Sequence, residues 1–145
     1  PNENTIRVDP NSQAVFPIEI ENAGNDRTKV VFDIKNLPKG WEASISDEVL
    51  LEEETGSRET AYLSIIPPND FGYHYDDANV EVIITPLRAS DSSAIGQSLS
   101  ATFTVQNRGF SSNGIHQILI YLLIGVIIIL IVVFVLKRIN LFKLS

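Results

Sequence analysis

The chain has 145 residues, a formal net charge of −7 and no cysteine. This length accommodates one ordinary domain plus an appendage, and the lack of cysteine excludes disulfides, thiolate metal sites and a cysteine nucleophile. Because all 18 acidic residues lie at or before Asp91, the first 117 residues carry 8 basic and 18 acidic side chains, a net charge of −10 that gives no attraction for nucleic acid.

Residues 5–105 alternate apolar and polar side chains, which is typical of strands with one buried face. Turn residues separate the runs, for example Asp9-Pro10-Asn11 and Pro67-Pro68-Asn69-Asp70. Seven or eight strands in about 100 residues predict an all-β, immunoglobulin-like antiparallel β-sandwich over residues 1–108. The predicted core consists of Phe16, Ile18, Phe32, Trp41, Leu63, Val82 and Phe103.

Two residues within this pattern carry further predictions. Pro17 lies inside a strand run, so we expect its missing N–H to face outward from a sheet edge. Trp41 follows the Pro38-Lys39-Gly40 turn in the inward phase, which predicts that its indole fills the sandwich core. The alternative is an exposed tryptophan that stacks on a sugar.

Three sequence elements resemble a known family. They are F-x-I-x-I-x-N-x-G over residues 16–24, N-L-P-x-G-W over residues 36–41 and L-x-I-x-x-P over residues 63–68. This order resembles the NPCBM-associated domain of alpha-galactosidases, an immunoglobulin-like module common on prokaryotic surface proteins. Thr55-Gly56 stands where that family usually has Pro-Gly. The resemblance implies an accessory module without catalytic residues, acting as a spacer, anchor or interaction domain.

Residues 70–77, Asp-Phe-Gly-Tyr-His-Tyr-Asp-Asp, have the most unusual local composition, and we expect them to form a loop. One hypothesis is a partner-binding site at Tyr73, His74 and Tyr75, because aromatic residues are favoured at interfaces. A second is a Ca²⁺ site that uses Asp70, Asp76 and Asp77. A third is a solvated loop without a ligand. Residues 47–54 are also acidic, and we interpret them as a solvated face that protects a strand edge.

Residues 118–136 contain no charge, amide or proline, and a helix of this length is about 28 Å long, close to the bilayer core. We therefore expect a linker over residues 109–117 and a transmembrane helix over residues 118–136. Within the helix, Tyr121 is expected to anchor at the membrane interface. Gly125 has no partner for a G-x-x-x-G pair, and two interpretations of it stay open: a position where the helix of another protein approaches, or a tolerated glycine that faces lipid.

Residues 137–145 form a basic tail that contains Lys137, Arg138 and Lys143. The positive-inside rule places this tail in the cytoplasm and the acidic domain outside, in a single-pass arrangement. The tail is too short to fold, and Leu141, Phe142 and Leu144 suggest that it lies along the inner membrane surface. The chain begins at Pro1 without methionine, so we expect a processed protein or the C-terminal part of a longer one.

These features predict a non-catalytic, membrane-anchored interaction module, either a surface-protein stalk or a small subunit of a membrane complex. The expected partners are membrane lipid and other membrane or surface proteins, with no cofactor, no nucleic acid and no enzymatic activity. Two alternatives remain open at this stage. One is a carbohydrate-binding surface module, and the other is an accessory subunit of a membrane enzyme or transporter.

Overall fold

The computed structural model describes the backbone of residues 4–143 and the side chains of residues 4–138. These residues form two compact units. The first contains the described residues up to Asn69 together with Tyr73–Ser111, and the second contains Asp70–Gly72 with the described residues from Ser112 onward. The elements in chain order are β1 (Thr5–Val8), β2 (Ala14–Glu21), β3 (Thr28–Lys35), β4 (Glu42–Ser44), β5 (Glu48–Leu51), β6 (Arg58–Ile66), β7 (Gly72–Arg88), β8 (Leu99–Ser111) and α1 (Ile115–Lys143).

The strands form two sheets. The five-stranded sheet has the order β1-β8-β7-β3-β5, and the three-stranded sheet has the order β2-β6-β4. β1 runs parallel to β8, whereas β3 is antiparallel to β5 and β7, and β6 is antiparallel to β2 and β4. This arrangement confirms the predicted immunoglobulin-like sandwich followed by one apolar helix. β2 is an edge strand, so Pro17 lies where a missing N–H is tolerated, as predicted.

The core lies between the inward faces of the two sheets. All seven predicted core residues are buried: Phe16, Ile18, Phe32, Trp41, Leu63, Val82 and Phe103. The rings of Phe16 on β2 and Phe103 on β8 lie 5.0 Å apart between centroids, so these two residues join the sheets directly. Such tilted aromatic pairs add to the free energy gained by burying their area.

Trp41 is buried one residue before β4. Its backbone N–H donates to the Pro38 carbonyl at 3.2 Å, and Gly40 supplies the positive φ of 84° that the turn requires. The buried position is therefore confirmed, and the alternative of an exposed, sugar-stacking Trp41 is wrong.

Buried polar side chains fix the connections between strands. Asn22 donates to the carbonyls of Asp26 and Glu52 at 2.9 Å and 2.8 Å. Near the end of β8, Asn107 donates to the Pro68 carbonyl at 3.1 Å and Ser111 donates to the Asn69 carbonyl at 2.6 Å. Each bond satisfies a backbone group in a segment without ladder partners, which holds the segment that leads into β7 against β8.

Three elements differ from the expectations. Residues 72–77 belong to β7 and are not a loop, and β5 is an edge strand formed by residues in the acidic segment 47–54. The helix begins at Ile115 and continues to Lys143, so the connection after β8 is three residues long and much of the expected tail is helical. The side chains of Leu141 and Phe142, and the whole of Leu144, lie outside the described residues.

α1 forms most of the second unit. Its segment Ile115–Arg138 has a mean hydropathy of 3.6 over its most apolar window and buries no part of that window within the chain. This is a helix long and apolar enough to cross a membrane. Gly114, with a φ of 83°, precedes it and accepts a hydrogen bond from the Gln117 N–H at 3.0 Å.

Candidate interaction surface

The candidate residues at positions 73–77 lie where β7 pairs with β8. Tyr73 contacts Phe110, Thr104 donates to the Asn79 side chain at 2.8 Å, and the hydroxyls of Thr85 and Ser98 lie 2.9 Å apart. Residue numbers rise along β7 as they fall along β8, so the two strands are antiparallel. Cross-strand pairing with residues 106–110 explains why the polar-aromatic segment extends as a strand.

Tyr73 and Tyr75 are on the outward face of this pair and are 88% and 82% exposed. The ring of Tyr73 packs against the half-exposed ring of Phe110, with centroids 5.0 Å apart and planes tilted by 59°. Together with Arg108 and Asp77, these residues form what we call the aromatic face: Tyr73, Tyr75, Asp77, Arg108 and Phe110. The pairing of β7 with β8 fixes the backbone that carries these exposed aromatic side chains.

Arg108 is the fixed centre of the aromatic face. Its guanidinium carbon lies 3.8 Å from the centroid of the Tyr75 ring, a cation–π contact. One terminal nitrogen forms a 2.6 Å ion pair with Asp77, and the other donates to the Asp76 and Asn107 carbonyls, each at 2.9 Å. The side chain of Arg108 is only 11% exposed, so its donors are used within the domain while Tyr75 remains accessible above it.

His74 points to the other side of β7. Successive side chains in a strand alternate between faces, and His74 shares its phase with the buried Ala78 and Val80. Its side chain is 8% exposed, and its Nδ1 lies 3.5 Å from a carboxylate oxygen of Asp76. His74 was predicted to lie with Tyr73 and Tyr75, but the strand places it on the opposite face, so only the two tyrosines of this group are exposed.

The three aspartates proposed for a metal site have different surroundings. Asp77 pairs with Arg108 on the outward face, Asp76 lies beside His74, and Asp70 precedes β7 in the second unit. Within residues 4–143, no group of three or more histidine, cysteine, aspartate or glutamate residues is placed to hold a metal ion. The acidic segment at β5 is likewise engaged in ion pairs, Glu48 with Lys29 at 3.5 Å and Glu52 with Arg27 at 3.4 Å.

The candidate residues on α1 are solvent-exposed in the isolated chain. Tyr121 is exposed, and a Cβ added at Gly125 would meet no atom within 4 Å. Tyr121 and Gly125 are four residues apart and therefore lie on the same side of the helix. Lys137 and Arg138 follow the apolar segment and are also exposed.

Two members of the aromatic face were missed in the sequence. Arg108 is the last residue of the predicted sandwich and carries no prediction of its own, and Phe110 lies in the predicted linker over residues 109–117. The alternation of side chains that predicts the strand continues after Phe103. Val105, Asn107 and Ser111 are in its inward phase. Arg108 and Phe110 are in its outward phase. Extending the strand pattern beyond residue 105 would have found both.

No protein-family model and no curated protein matches the chain. Among solved structures it is similar to the ASH/PapD-like domain 7 of human CEP192, at 13% identity and a TM-score of 0.46, covering 76% of this chain and 83% of that one. The E. coli chaperone DraB is 11% identical with a TM-score of 0.43, and 77% of this chain matches 54%, about half, of its length.

A third solved structure is SSP-19, an MSP-domain protein like family member in Caenorhabditis elegans. It is 7% identical with a TM-score of 0.41, and the match covers 70% of this chain and 92% of that one. At these identities the similarity concerns the fold alone.

Proposed function

We propose that this protein is a non-catalytic interaction module that a helix anchors to a membrane and that binds a partner protein through the aromatic face. The observation that carries this proposal is the presence of two tyrosines, more than four-fifths exposed, on a paired strand beside an arginine whose side chain is only 11% exposed. Tyrosine and arginine are enriched where interface binding energy concentrates.

The surroundings of Arg108 support a preorganised contact surface. Because its guanidinium is already bonded to Asp77 and to two carbonyls, binding a partner need not order this side chain. Tyr75 is supported from below by the same group, and Tyr73 is supported by Phe110. Surfaces whose rotamers are fixed beforehand lose less conformational entropy on association.

A non-catalytic role is supported by the state of the one histidine in the sandwich. His74 and Asp76 are the nearest approach to an acid–base pair, but the imidazole is enclosed, and its Nδ1 is 3.5 Å from the carboxylate. General acid–base catalysis needs a group within hydrogen-bonding reach of a substrate. We therefore assign this pair no catalytic step.

Membrane anchoring rests on α1. Its apolar segment is long enough to span the bilayer, and Lys137 and Arg138 at its end favour a cytoplasmic C-terminus by the positive-inside rule. We propose that α1 crosses the membrane over residues 118–136, with its basic end beginning at Lys137, and that the three residues between β8 and α1 join it to the sandwich, which ends at Ser111. In this arrangement, protease added outside sealed right-side-out vesicles cleaves the acidic domain and spares the C-terminus; protection of the domain would overturn the orientation.

Gly125 offers a second contact site within the bilayer. Beyond the backbone of the helix itself, a methyl group at this position meets no described atom within 4 Å, so the chain offers no steric obstacle to a substitution there. A loss of complex formation in Gly125→Leu would therefore report on a neighbouring helix, and Tyr121 on the same side would share that contact. The matched control is Ile129→Leu, one turn further along the same side of α1.

The test of the aromatic face is site-specific photocrosslinking in native membranes. A photoreactive residue at Tyr73 should crosslink a partner protein, whereas the same residue at Tyr62, an exposed tyrosine on β6 of the other sheet, should not. Tyr73→Ala or Tyr75→Ala should then weaken binding of that partner by about 1–2 kcal/mol, roughly 5- to 30-fold. Equal crosslinking at both positions, or none at either, would refute the aromatic face as the contact.

A more specific proposal concerns the family to which the sandwich belongs. We propose that the sandwich is a member of the NPCBM-associated group of surface modules, on the strength of the N-L-P-x-G-W element and its buried Trp41. Such a module would act as a stalk or as a small subunit of a membrane complex. Purification from native membranes separates these: a stalk is recovered covalently joined to further domains, and a subunit is recovered with separate chains.

Carbohydrate binding is a second candidate function, and one observation favours it. Tyr73 and Tyr75 project from the same side of a sheet, which is a platform on which sugar rings can stack. A glycan array probed with the full chain discriminates the two functions. Binding to a defined glycan that Tyr75→Ala abolishes would favour the sugar, and protein crosslinking from Tyr73 without glycan binding would favour the partner protein.

A further inference from the structure

Three residues of the segment between β6 and β7 belong to the compact unit of α1. Asp70–Gly72 group with the described residues from Ser112 onward, whereas Asn69 and Tyr73 on either side belong to the sandwich. A Cβ placed on Gly114 would lie 4.0 Å from the Cβ of Phe71. Phe71 is therefore beside the residue that precedes α1, although 43 residues separate the two in the chain.

The turn beside Phe71 is hydrogen-bonded. The Ile115 N–H donates to the Ser112 carbonyl at 3.2 Å, and the Gly114 carbonyl accepts the N–H groups of Gln117 and Ile118 at 3.0 Å and 3.4 Å. These bonds begin the first turn of α1 directly after Gly114. The start of the helix is thus a fixed support for Phe71.

The length of α1 indicates the depth of this turn in a bilayer. Its 29 residues are about 44 Å long, close to the thickness of a bilayer with its headgroup layers, about 40–45 Å. With residues 118–136 in the hydrocarbon core, as proposed above, Gly114 lies four residues above Ile118, a rise of about 6 Å. Each headgroup layer is about 5–7 Å thick. Gly114 and Phe71 are then at the level of this layer.

The side chain of Phe71 suits that environment. It is 41% exposed in the isolated chain, so contact with lipid removes apolar area from water. Phenylalanine is among the side chains that peripheral membrane segments place at the boundary between headgroups and acyl chains. The neighbouring Asp70 limits the depth, because a carboxylate is costly in the hydrocarbon core but compatible with the hydrated headgroup layer.

We propose that Phe71 enters the outer headgroup layer of the bilayer beside the first turn of α1 and is a second membrane contact of the protein. The inference rests on the proposed membrane span but not on the aromatic face. Only Gly72 separates Phe71 from Tyr73, so this contact holds the start of β7 close to the membrane surface. The aromatic face is thereby presented to partners directly outside the bilayer.

Tryptophan quenching by brominated lipids tests the contact. The full chain is placed in phosphatidylcholine vesicles, since a neutral lipid adds no repulsion for the acidic domain. Wild type supplies the baseline, because its one tryptophan, Trp41, is buried. The variants are Phe71→Trp, Tyr62→Trp at an exposed position of β6, and Ile127→Trp near the middle of the span.

Bromine on the upper part of the acyl chains should quench about half of the emission that Phe71→Trp adds to wild type, because the headgroup layer lies directly above it. Tyr62→Trp should not be quenched, and Ile127→Trp should be quenched best by bromine near the chain ends. If Phe71→Trp behaves like Tyr62→Trp while Ile127→Trp is quenched, the inference fails and the span stands. If Ile127→Trp is also not quenched, the proposed span itself is wrong.

Energy transfer tests whether the contact positions the sandwich. Because the chain has no cysteine, a single cysteine at Tyr62 can carry a donor dye, with acceptor dyes on the lipid headgroups. Phe71→Ser should broaden the distribution of donor–membrane distances, and Phe71→Trp should preserve it. Phe110→Ser, at a half-exposed phenylalanine of β8, is the matched control and should also preserve it. An unchanged distribution in Phe71→Ser would overturn the positioning role.

Discussion

Arg108 and Tyr75 form a stacked pair in which the guanidinium carbon lies 3.8 Å from the ring centroid. The arginine is enclosed and the tyrosine is open, so one residue of the pair stabilises the domain and the other is available for contact. Substitutions at the two positions should therefore have separable effects on stability and on binding.

Arg108→Ala should destabilise the sandwich by about 1–3 kcal/mol, because Asp77 and two backbone carbonyls lose a charged donor. Arg7→Ala is the control, since Arg7 is an exposed arginine on the neighbouring strand and should change stability by less than about 0.5 kcal/mol. Urea unfolding of the full chain in nanodiscs, followed by the fluorescence of Trp41, measures both. An equal loss of unfolding free energy in the two variants would show that the enclosed contacts of Arg108 contribute nothing to stability.

Trp41→Ala should cost about 3–5 kcal/mol, the usual range for deleting a large aromatic side chain from a core. In a domain of about 100 residues, this lowers Tm by more than about 10 °C. Thermal unfolding followed by circular dichroism measures the shift. Tyr62→Ala, at an exposed tyrosine, should leave Tm nearly unchanged; a similar Tm for both variants would contradict the buried position of Trp41.

Gly109→Ala should destabilise the domain more than Gly72→Ala does. Both glycines have positive φ, 146° and 135°, so both substitutions strain the backbone. At Gly109 the added Cβ would also lie 3.1 Å from the Cδ of Pro10 and 3.2 Å from a carboxylate oxygen of Asp9, whereas at Gly72 it would meet nothing within 4 Å. The difference between the two melting temperatures isolates the steric contact, and identical values would exclude it.

Asp91 should titrate below its ordinary pKa of 3.8, because the hydroxyl and the backbone N–H of Ser93 both donate to its carboxylate. A pKa lowered by folding adds stability above the ordinary value, and that stability is lost as the pH falls through the folded-state pKa. Carboxyl NMR titration should show a higher pKa in Ser93→Ala, since the hydroxyl bond is lost. An unchanged pKa in that variant would refute the role of Ser93.

The sandwich could be predicted from the sequence because each strand buries one face, so apolar side chains recur at every second residue. Phe16, Phe32 and Val82 are in the inward phase of three such runs, and all three are buried. Trp41 was predictable for a related reason, since the turn before it determines the phase at which the following segment begins.

The candidate site was predicted less completely, because cross-strand pairing is not visible in local composition. Tyr73 and Tyr75 were found from their unusual neighbours, but the segment was expected to be a loop because it is rich in polar residues. Only the pairing with β8 makes it a strand, and only that strand separates His74 from the tyrosines. Arg108 is 33 residues from Tyr75 in the chain, so their contact could not be predicted without knowing which residues of β7 and β8 pair.

The parallel pairing of β1 and β8 has a mechanical consequence. The described chain enters the sandwich through β1 and leaves it through β8 towards α1, so tension between those ends pulls the two strands in opposite directions along their length. The hydrogen bonds between Thr5–Val8 and β8 are then loaded together in shear. In single-molecule pulling, this geometry should resist more force than a pull between Gln13 and Ile66, which peels the antiparallel β2 and β6 apart one bond at a time. A domain pulled by its two ends would in this way be loaded along its strongest direction.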